Sequence, residues 1–227
     1  MDLICPILDN NKVIIELNGE RVLIASGINY SLSNEHSITI DENTFNLENQ
    51  FIGFSIKDIN NHLKEDVKYV LGSNILSKFN YRIDKSKKIF TISPNPFDVG
   101  TDSIPLSYNL DVPTIPVSTQ DKQISAIFDT LSSYTYIHEK IIPENVEKEQ
   151  ESTDFVIGVG KFTVKLFRNQ YNIGKQKIEL MSANYPSVIT KSRPLSIDKG
   201  VLGSELTANF VITLNSSTNV FQLERFT

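Results

Sequence analysis

The most informative stretch of this sequence is Ile127-Phe128-Asp129-Thr130-Leu131-Ser132-Ser133-Tyr134. An acidic residue directly follows an apolar segment, and a run of small hydroxyl residues follows the acid. A short apolar segment of this kind predicts a buried β-strand. The order of residue types therefore predicts that the carboxylate of Asp129 lies at the end of a buried strand, on a tight turn.

A repeat relates this stretch to the first half of the chain. Residues 70–93 align without gaps with residues 201–224, and seven of the 24 aligned pairs are identical. Upstream of that block, residues 23–30 align with residues 127–134. Because both copies alternate between short apolar runs and polar turns, the repeat predicts an all-β protein made of two similar halves.

Composition limits the classes of function. The chain has 227 residues and a formal net charge of −5, and its lysines are dispersed, so we expect no nucleic-acid partner. It contains a single cysteine, Cys5, and no apolar run long enough to span a membrane. If Met1 is the natural start, the absence of a signal peptide predicts a cytoplasmic protein. The three histidines are too scattered to predict a metal site, and no motif indicates a cofactor.

Together, these residues resemble the pepsin-like and retropepsin-like aspartic peptidases. The resemblance rests on the apolar-apolar-Asp-Thr turn at 127–130, the Val-Leu-Gly segments at 70–72 and 201–203, and the strand hairpins that follow them. It implies two homologous lobes, each a β-barrel of the retropepsin type, with a cleft between them. The lobes would comprise residues 1–95 and 105–227, and residues 96–104 would link them.

The resemblance also implies a function for the cleft. In this family, two Asp turns meet at the lobe interface, and two carboxylates about 3 Å apart share one proton. One carboxylate activates water while the other protonates the scissile carbonyl of an extended peptide. Hydroxyl groups beside the acids orient them, and a glycine after each Asp-Thr permits close approach of the two turns.

This chain departs from that pattern in both turns. In the first turn (residues 25–27), Ala25 occupies the position of the acid, and in the second turn (residues 129–131), Leu131 occupies the position of the glycine. We expect Leu131 to crowd the opposite turn. The candidate catalytic residues are therefore the single acid Asp129 and the vacated position of Ala25. Five neighbouring residues are candidates for contact with a bound peptide: Ser26, Gly27, Thr130, Leu131 and Ser132.

Two functions remain open on this basis. In the first, the protein is a pseudopeptidase that binds an extended peptide or protein segment without cleaving it. In the second, it is an aspartic endopeptidase in which Ala25 stands in place of a natural aspartate. The oligomeric state is not determined by the sequence.

Local signals complete the predictions. Asn18-Gly19 between two apolar runs predicts a tight hairpin. Residues 58–65 predict a short helix capped by Asp58, and residues 158–160 predict the turn of a hairpin beside the cleft. Residues 143–154 are acidic and predict a solvated loop. Tyr30 and Tyr134, at matched positions of the repeat, are expected to pack inside the two halves.

Overall fold

The structure is a computed structural model that describes residues 1–9, 12–119, 122–142, 146, 150–157, 159–185 and 199–226. Most of the described residues lie in β-strands, and the helices are short. This confirms the mainly β character expected from the sequence.

A six-stranded sheet joins the two halves of the chain. In order across the sheet, its strands are β1 (Leu3–Pro6), β10 (Ile89–Ser93), β9 (Asn80–Asp84), β20 (Phe210–Asn215), β21 (Val220–Arg225) and β11 (Ile104–Pro105). At its centre, β9 and β20 are antiparallel, with Arg82 opposite Thr213. These two residues are also partners in the sequence repeat, so a local two-fold axis relates the two hairpins.

The first half also forms a three-stranded sheet, which carries the first turn. Its strands are β2 (Ile14–Leu17), β3 (Glu20–Ala25) and β8 (Tyr69–Gly72), and β3 runs parallel to β8. Two small hairpins and two helices complete this half: β4 (Ser37–Ile40), β5 (Asn43–Asn46), β6 (Gln50–Phe51), β7 (Phe54–Ser55), α1 (Ile56–Leu63) and α2 (Ser73–Leu76).

The second half forms an eight-stranded sheet, which carries the second turn. Its strands in spatial order are β12 (Ser107–Asn109), β13 (Val112–Thr119), β14 (Lys122–Phe128), β19 (Lys199–Leu202), β15 (Thr135–Ile137), β18 (Gln176–Asn184), β17 (Gly160–Ile173) and β16 (Gln150–Val156). Here β14 runs parallel to β19, as β3 does to β8. The 3-10 helix Glu139–Ile141 lies between β15 and β16, and the 3-10 helix Ser204–Ala208 leads from β19 to β20 of the six-stranded sheet.

Local sequence explains two of these elements. Asn18 and Gly19 both have positive φ, 53° and 78°, which is the conformation that a two-residue hairpin between β2 and β3 requires. Helix α1 begins at Ile56, two residues before the predicted start. Ser55 is its N-cap, and Asp58 accepts a hydrogen bond from the Ser55 backbone to form a capping box. The prediction that Asp58 is the cap was wrong because Asp58 is the third helical residue.

Two hydrophobic clusters hold the halves together. The larger cluster contains buried side chains from both halves and includes the inner faces of the six-stranded sheet. The smaller cluster is built mainly from the first half, but Leu131 and Ile157 of the second half contribute to it. Among the helices in the described part of the chain, none is long and apolar enough to cross a membrane.

Candidate functional site

The two turns occupy matched positions at the ends of matched strands. Ala25 ends β3 opposite Gly72 of β8, and the Asp129 N–H, one residue beyond β14, donates to the Leu202 carbonyl of β19 over 2.9 Å. Strand β8 ends at Gly72, strand β19 is followed directly by Gly203, and another backbone segment passes close to each glycine. A Cβ at Gly72 would lie 2.0 Å from the Tyr30 carbonyl oxygen.

The equivalent glycine in the second half has the same environment. A Cβ at Gly203 would lie 2.5 Å from the Tyr134 carbonyl oxygen. Tyr30 and Tyr134 are partners in the repeat, as Gly72 and Gly203 are. No side chain fits where two backbone segments cross this closely, so both positions require glycine.

Reciprocal hydrogen bonds join the two turns. The Ser26 N–H donates to Thr130 Oγ1 and the Thr130 N–H donates to Ser26 Oγ, both over 3.1 Å. Each hydroxyl also donates across the contact, Ser26 to the Phe128 carbonyl over 2.8 Å and Thr130 to the Ile24 carbonyl over 2.5 Å. Both side chains are fully buried. Buried, mutually satisfied groups of this kind fix the two strand ends against each other.

This geometry corrects the roles that the sequence suggested for Ser26 and Thr130. Their hydroxyls were expected to orient a carboxylate and their side chains to contact a bound peptide. Because both are buried and bonded to the opposite turn, they hold the turns together and offer no surface to a ligand. Ser132 does contact the acid, since its hydroxyl donates to Asp129 Oδ2 over 2.9 Å.

Gly27 lies directly against the acid of the other turn. A Cβ at Gly27 would lie 2.1 Å from Asp129 Cγ. The carboxyl group therefore packs against the backbone of the first turn, in space that any side chain at residue 27 would occupy. The structure thus brings together the residues that the sequence assigned to the two turns.

The environment of Asp129 favours its protonated form. Burial is the largest influence and raises the pKa of its carboxyl group. The Leu131 N–H, which donates to Oδ1 over 2.9 Å, and the Ser132 hydroxyl oppose this rise, as does the charge of Lys12. The net result is a pKa above the usual range of an aspartate.

Ala25 and Leu131 belong to one hydrophobic cluster. Ala25 is fully buried and Leu131 is 8% exposed. Their cluster also contains side chains from the first half and from the β16–β17 hairpin, among them Leu23, Leu32, Ile59, Val70 and Ile157. The expectation that Leu131 crowds the opposite turn is therefore not met. Its side chain packs in the apolar cluster that also contains Ala25.

Two charged residues near the turns were missed by the sequence analysis. Lys12 Nζ donates to the Leu131 carbonyl and, over 3.1 Å, to Ser133 Oγ. Its pKa is lowered by burial, while the charges of Asp154, Asp129 and Asp9 oppose that shift. Lys12 follows no motif and is 119 residues from Leu131 in the sequence, so nothing local marked it.

Asp154 is the second of these residues. It is 5% exposed, although it ends the acidic segment that predicted a solvated loop. Its Oδ1 accepts hydrogen bonds from Ser133 Oγ and the Phe155 N–H, and its Oδ2 accepts from the Ser133 N–H and Tyr136 Oη, all at 2.7–3.2 Å. Four donors thus satisfy this carboxylate within the protein.

The tip of the β16–β17 hairpin packs on the first half of the chain. Phe155 stacks on His62 of α1 with ring centroids 3.6 Å apart, and Phe54 meets Phe155 edge-on at 6.0 Å. Ile157 is buried in the same apolar cluster as Ala25. Ile157 and Val159 lie in the turn of this hairpin, where the sequence predicted a turn at residues 158–160, and Gly160 begins β17; residue 158 lies outside the described residues.

A pocket of about 260 Å³ remains between α1 and this hairpin, and we refer to it as the hairpin pocket. Side chains from both halves line it, including Lys12, His62, Leu63, Leu131, Asp154 and Lys161. Asp129 is not among its lining residues. The pocket is therefore a separate open space beside the two turns.

The matched tyrosines do not both pack as expected. Tyr30 is 37% exposed and stacks on Phe51 with ring centroids 4.3 Å apart, so the prediction that it lies in the core was wrong. Tyr134 is partly buried, and its hydroxyl is bonded to Ser152 over 2.8 Å. In both cases the backbone carbonyl, which crosses a glycine, is the part of the residue held in the interior.

Within the described ranges of the chain, no group of three or more His, Cys, Asp and Glu side chains is arranged to hold a metal ion. None of the protein-family models matches this chain, and no curated protein matches it in sequence.

Proposed function

We propose that the protein is a non-catalytic relative of the pepsin-like and retropepsin-like aspartic peptidases, and that it binds an extended peptide or protein segment between two homologous lobes. The lobes are residues 1–95 and residues 105–227, joined by residues 96–104. The location in the cytoplasm and the absence of nucleic-acid partners stay predictions from the sequence.

The matched geometry of the halves supports the two-lobe assignment. Each half presents a turn at the end of a strand, a parallel partner strand with a glycine at or directly after its end, and then a hairpin of the six-stranded sheet. The hydrogen bonds between Ser26 and Thr130 are reciprocal. A duplicated unit with a two-fold axis accounts for these features together.

The observation that carries the non-catalytic assignment is the shared cluster of Ala25 and Leu131. The family's chemistry needs two carboxylates that share a proton. Here an apolar side chain stands at one position of the acid pair, and Leu131 packs in the same cluster. Asp154, the other acid whose charge acts on Asp129, already accepts four hydrogen bonds.

Peptide binding is supported by the open space between the halves. The hairpin pocket has walls from both halves and combines apolar side chains with the two lysines Lys12 and Lys161. Pockets with apolar walls and a few polar groups are the usual form of a binding site.

Incubation with a mixed peptide pool from acid to neutral pH, followed by mass spectrometry, tests this function. We expect no new peptide ends, and the native chain and an Asp129→Asn variant should give the same result. We also expect both proteins to retain peptides from the pool in an affinity measurement. Turnover that pepstatin inhibits and that Asp129→Asn abolishes would contradict the proposal.

A second candidate is the aspartic endopeptidase in which Ala25 stands in place of a natural aspartate. The close contact between Gly27 and the carboxyl group of Asp129 favours it, because that contact keeps the two turns within reach of each other. In this case, an Ala25→Asp variant should cleave peptides at acid pH, and cleavage should disappear when Asp129→Asn is added.

A further inference from the structure

The hairpin pocket has an unbalanced set of charged groups. Lys12 and Lys161 line it as cations, and the carboxylate of Asp154 lines it as an anion. All four hydrogen bonds that Asp154 accepts come from the protein itself. The anion is therefore already satisfied, whereas the cations are only partly so.

Lys12 retains hydrogen-bonding capacity. An ammonium group has three N–H donors, and the described residues accept two of them, through the Leu131 carbonyl and the Ser133 hydroxyl. Lys161 lies on the rim with an exposed side chain, and it forms no ion pair within the part of the chain that the structure describes. Two lysines thus line a space in which a small anion would find cationic donors.

Most of the remaining lining residues are apolar, and His62, Ser133 and Thr153 add polar groups. Ile59 and Leu63 of α1 form one wall, and Phe155 of the hairpin forms another. Leu131 and Ile157 also line the pocket, and both are buried in the cluster that joins the hairpin to the first half. A peptide that continued past this point would have to displace that cluster, so the pocket suits the end of a chain.

We propose that the hairpin pocket binds the C-terminal residue of a peptide or protein that ends in an apolar side chain. Lys12 and Lys161 bind the terminal carboxylate, and the apolar side chain packs against Leu63 and Phe155. This inference rests on the proposed peptide-binding function and names the part of the peptide that is recognised. The volume of about 260 Å³ lies below the range of about 300–1,000 Å³ typical of drug-sized ligands, which agrees with a single residue.

A peptide N-terminus fits this pocket less well. Its ammonium group would meet two lysines, and the carboxylate of Asp154 has no acceptor left for it. Burying a charge without a partner is unfavourable, whereas burying a carboxylate beside two cations is compensated.

The test compares labelled peptides of one sequence that end in leucine, either with a free carboxylate or with a carboxamide, by fluorescence anisotropy with the full chain. We expect the free carboxylate to bind at least about tenfold more tightly, because a hydrogen-bonded charge is lost in the amide. Equal binding of the two peptides would overturn the inference and leave the proposed function standing. If neither peptide binds, the inference and the proposed function fail together.

Two lysine variants test whether Lys161 is responsible for the preference for a free carboxylate. Lys161→Met should remove most of the preference for the free carboxylate, whereas Lys165→Met, on the same strand and paired with Glu151, should keep it. Both side chains are exposed, so neither change threatens folding. Equal loss in both variants would indicate general charge attraction and would overturn the assignment. N-acetyl-leucine should compete with the peptide only weakly; if it competes as well as the peptide does, the pocket binds small apolar carboxylates and the peptide assignment is wrong.

Discussion

The first turn and the second turn have the same backbone setting and opposite chemistry. Each follows a strand whose parallel partner has a glycine at or directly after its end, and each contributes one hydroxyl residue to the reciprocal hydrogen bonds. Yet one turn presents Ala25 and the other presents Asp129. The comparison shows that Ser26, Thr130 and the glycines hold the two turns against each other. This contact between the turns does not depend on a second acid.

The residues at which the two turns differ from the aspartic-peptidase pattern, Ala25 and Leu131, also complement each other. Ala25 is small and apolar, and Leu131 is large and apolar, and both lie in one buried cluster. Either change alone would leave a polar group in apolar surroundings or an unfilled space, and both are costly in a protein interior. On the proposed relationship to the aspartic peptidases, these two apolar side chains stand in place of the acid pair.

The largest expected effect comes from the matched glycines. Gly72→Ala and Gly203→Ala each place a Cβ within 2.0–2.5 Å of a backbone oxygen that cannot move independently. We expect each to lose about 4 kcal/mol or more of stability, enough to impair folding, as measured by urea denaturation. Gly100→Ala, whose Cβ would meet only the Gln222 side chain at 3.0 Å, is the control. A large loss of stability in only one of the two variants would contradict the view that the two halves are structurally equivalent.

The hydroxyl residues should have the next largest effect. Thr130→Val leaves the Ser26 N–H and the Ile24 carbonyl without their partner, which should cost about 2–4 kcal/mol of unfolding free energy. Ser26→Ala should cost a similar amount, because the bonds are reciprocal. Thr39→Val removes an exposed contact with Thr44 and should change stability by less than about 0.5 kcal/mol.

The sequence was sufficient to locate the two turns and much less so to describe their surroundings. The repeat aligned Ala25 with Asp129 and Gly72 with Gly203, and the two glycines match because a backbone carbonyl crosses each of them closely. Lys12 could not be identified, because its contacts depend on how two distant segments come together.

Local patterns were also misleading where tertiary packing overrode them. Asp154 belongs to an acidic run, which usually indicates a solvated loop, but β16 turns this one carboxylate inward towards Ser133 and Tyr136. The resemblance implies glycine at position 131, so the sequence predicted that Leu131 would crowd the opposite turn. This prediction failed because Leu131 packs in a cluster with Ala25 and other apolar side chains of the first half.

Truncation of Leu131 provides a test in which the family resemblance and the observed packing predict opposite changes in stability. If the turn needs glycine at this position, shortening the side chain should stabilise the fold. We expect instead that Leu131→Ala destabilises the fold by about 2–3 kcal/mol, since it leaves a cavity in a buried cluster. Thermal and urea denaturation measure this, with Leu110→Ala, at a side chain that is 77% exposed, as the control. An increase in stability would show that Leu131 is strained.

Substitution of Asp129 should have the smallest effect on stability, and this effect should be visible only in how stability depends on pH. Because its pKa in the fold is raised above the unfolded value of about 3.9, its contribution to stability is fully present below that pH and is lost as pH rises through the folded pKa. Asp129→Asn removes this loss, so the variant should gain stability relative to the native chain as pH rises from acid to neutral. Ser132→Ala removes a hydrogen bond that lowers this pKa, so the loss of stability should be larger and should extend to higher pH. A stability difference between the native chain and Asp129→Asn that does not vary with pH would contradict this.

The central proposal is that an apolar cluster containing Ala25 and Leu131 stands in place of the acid pair of the aspartic peptidases, and the unfolding free energy of Ala25→Asp tests it most directly. With Leu131 present, we expect a loss of about 2–4 kcal/mol, because a carboxyl group enters an apolar cluster. In the Leu131→Gly background the same substitution should cost at least about 1 kcal/mol less, since neighbouring sites are coupled. If Ala25→Asp is as stable as the native chain or more so, position 25 suits an acid, and the account is wrong.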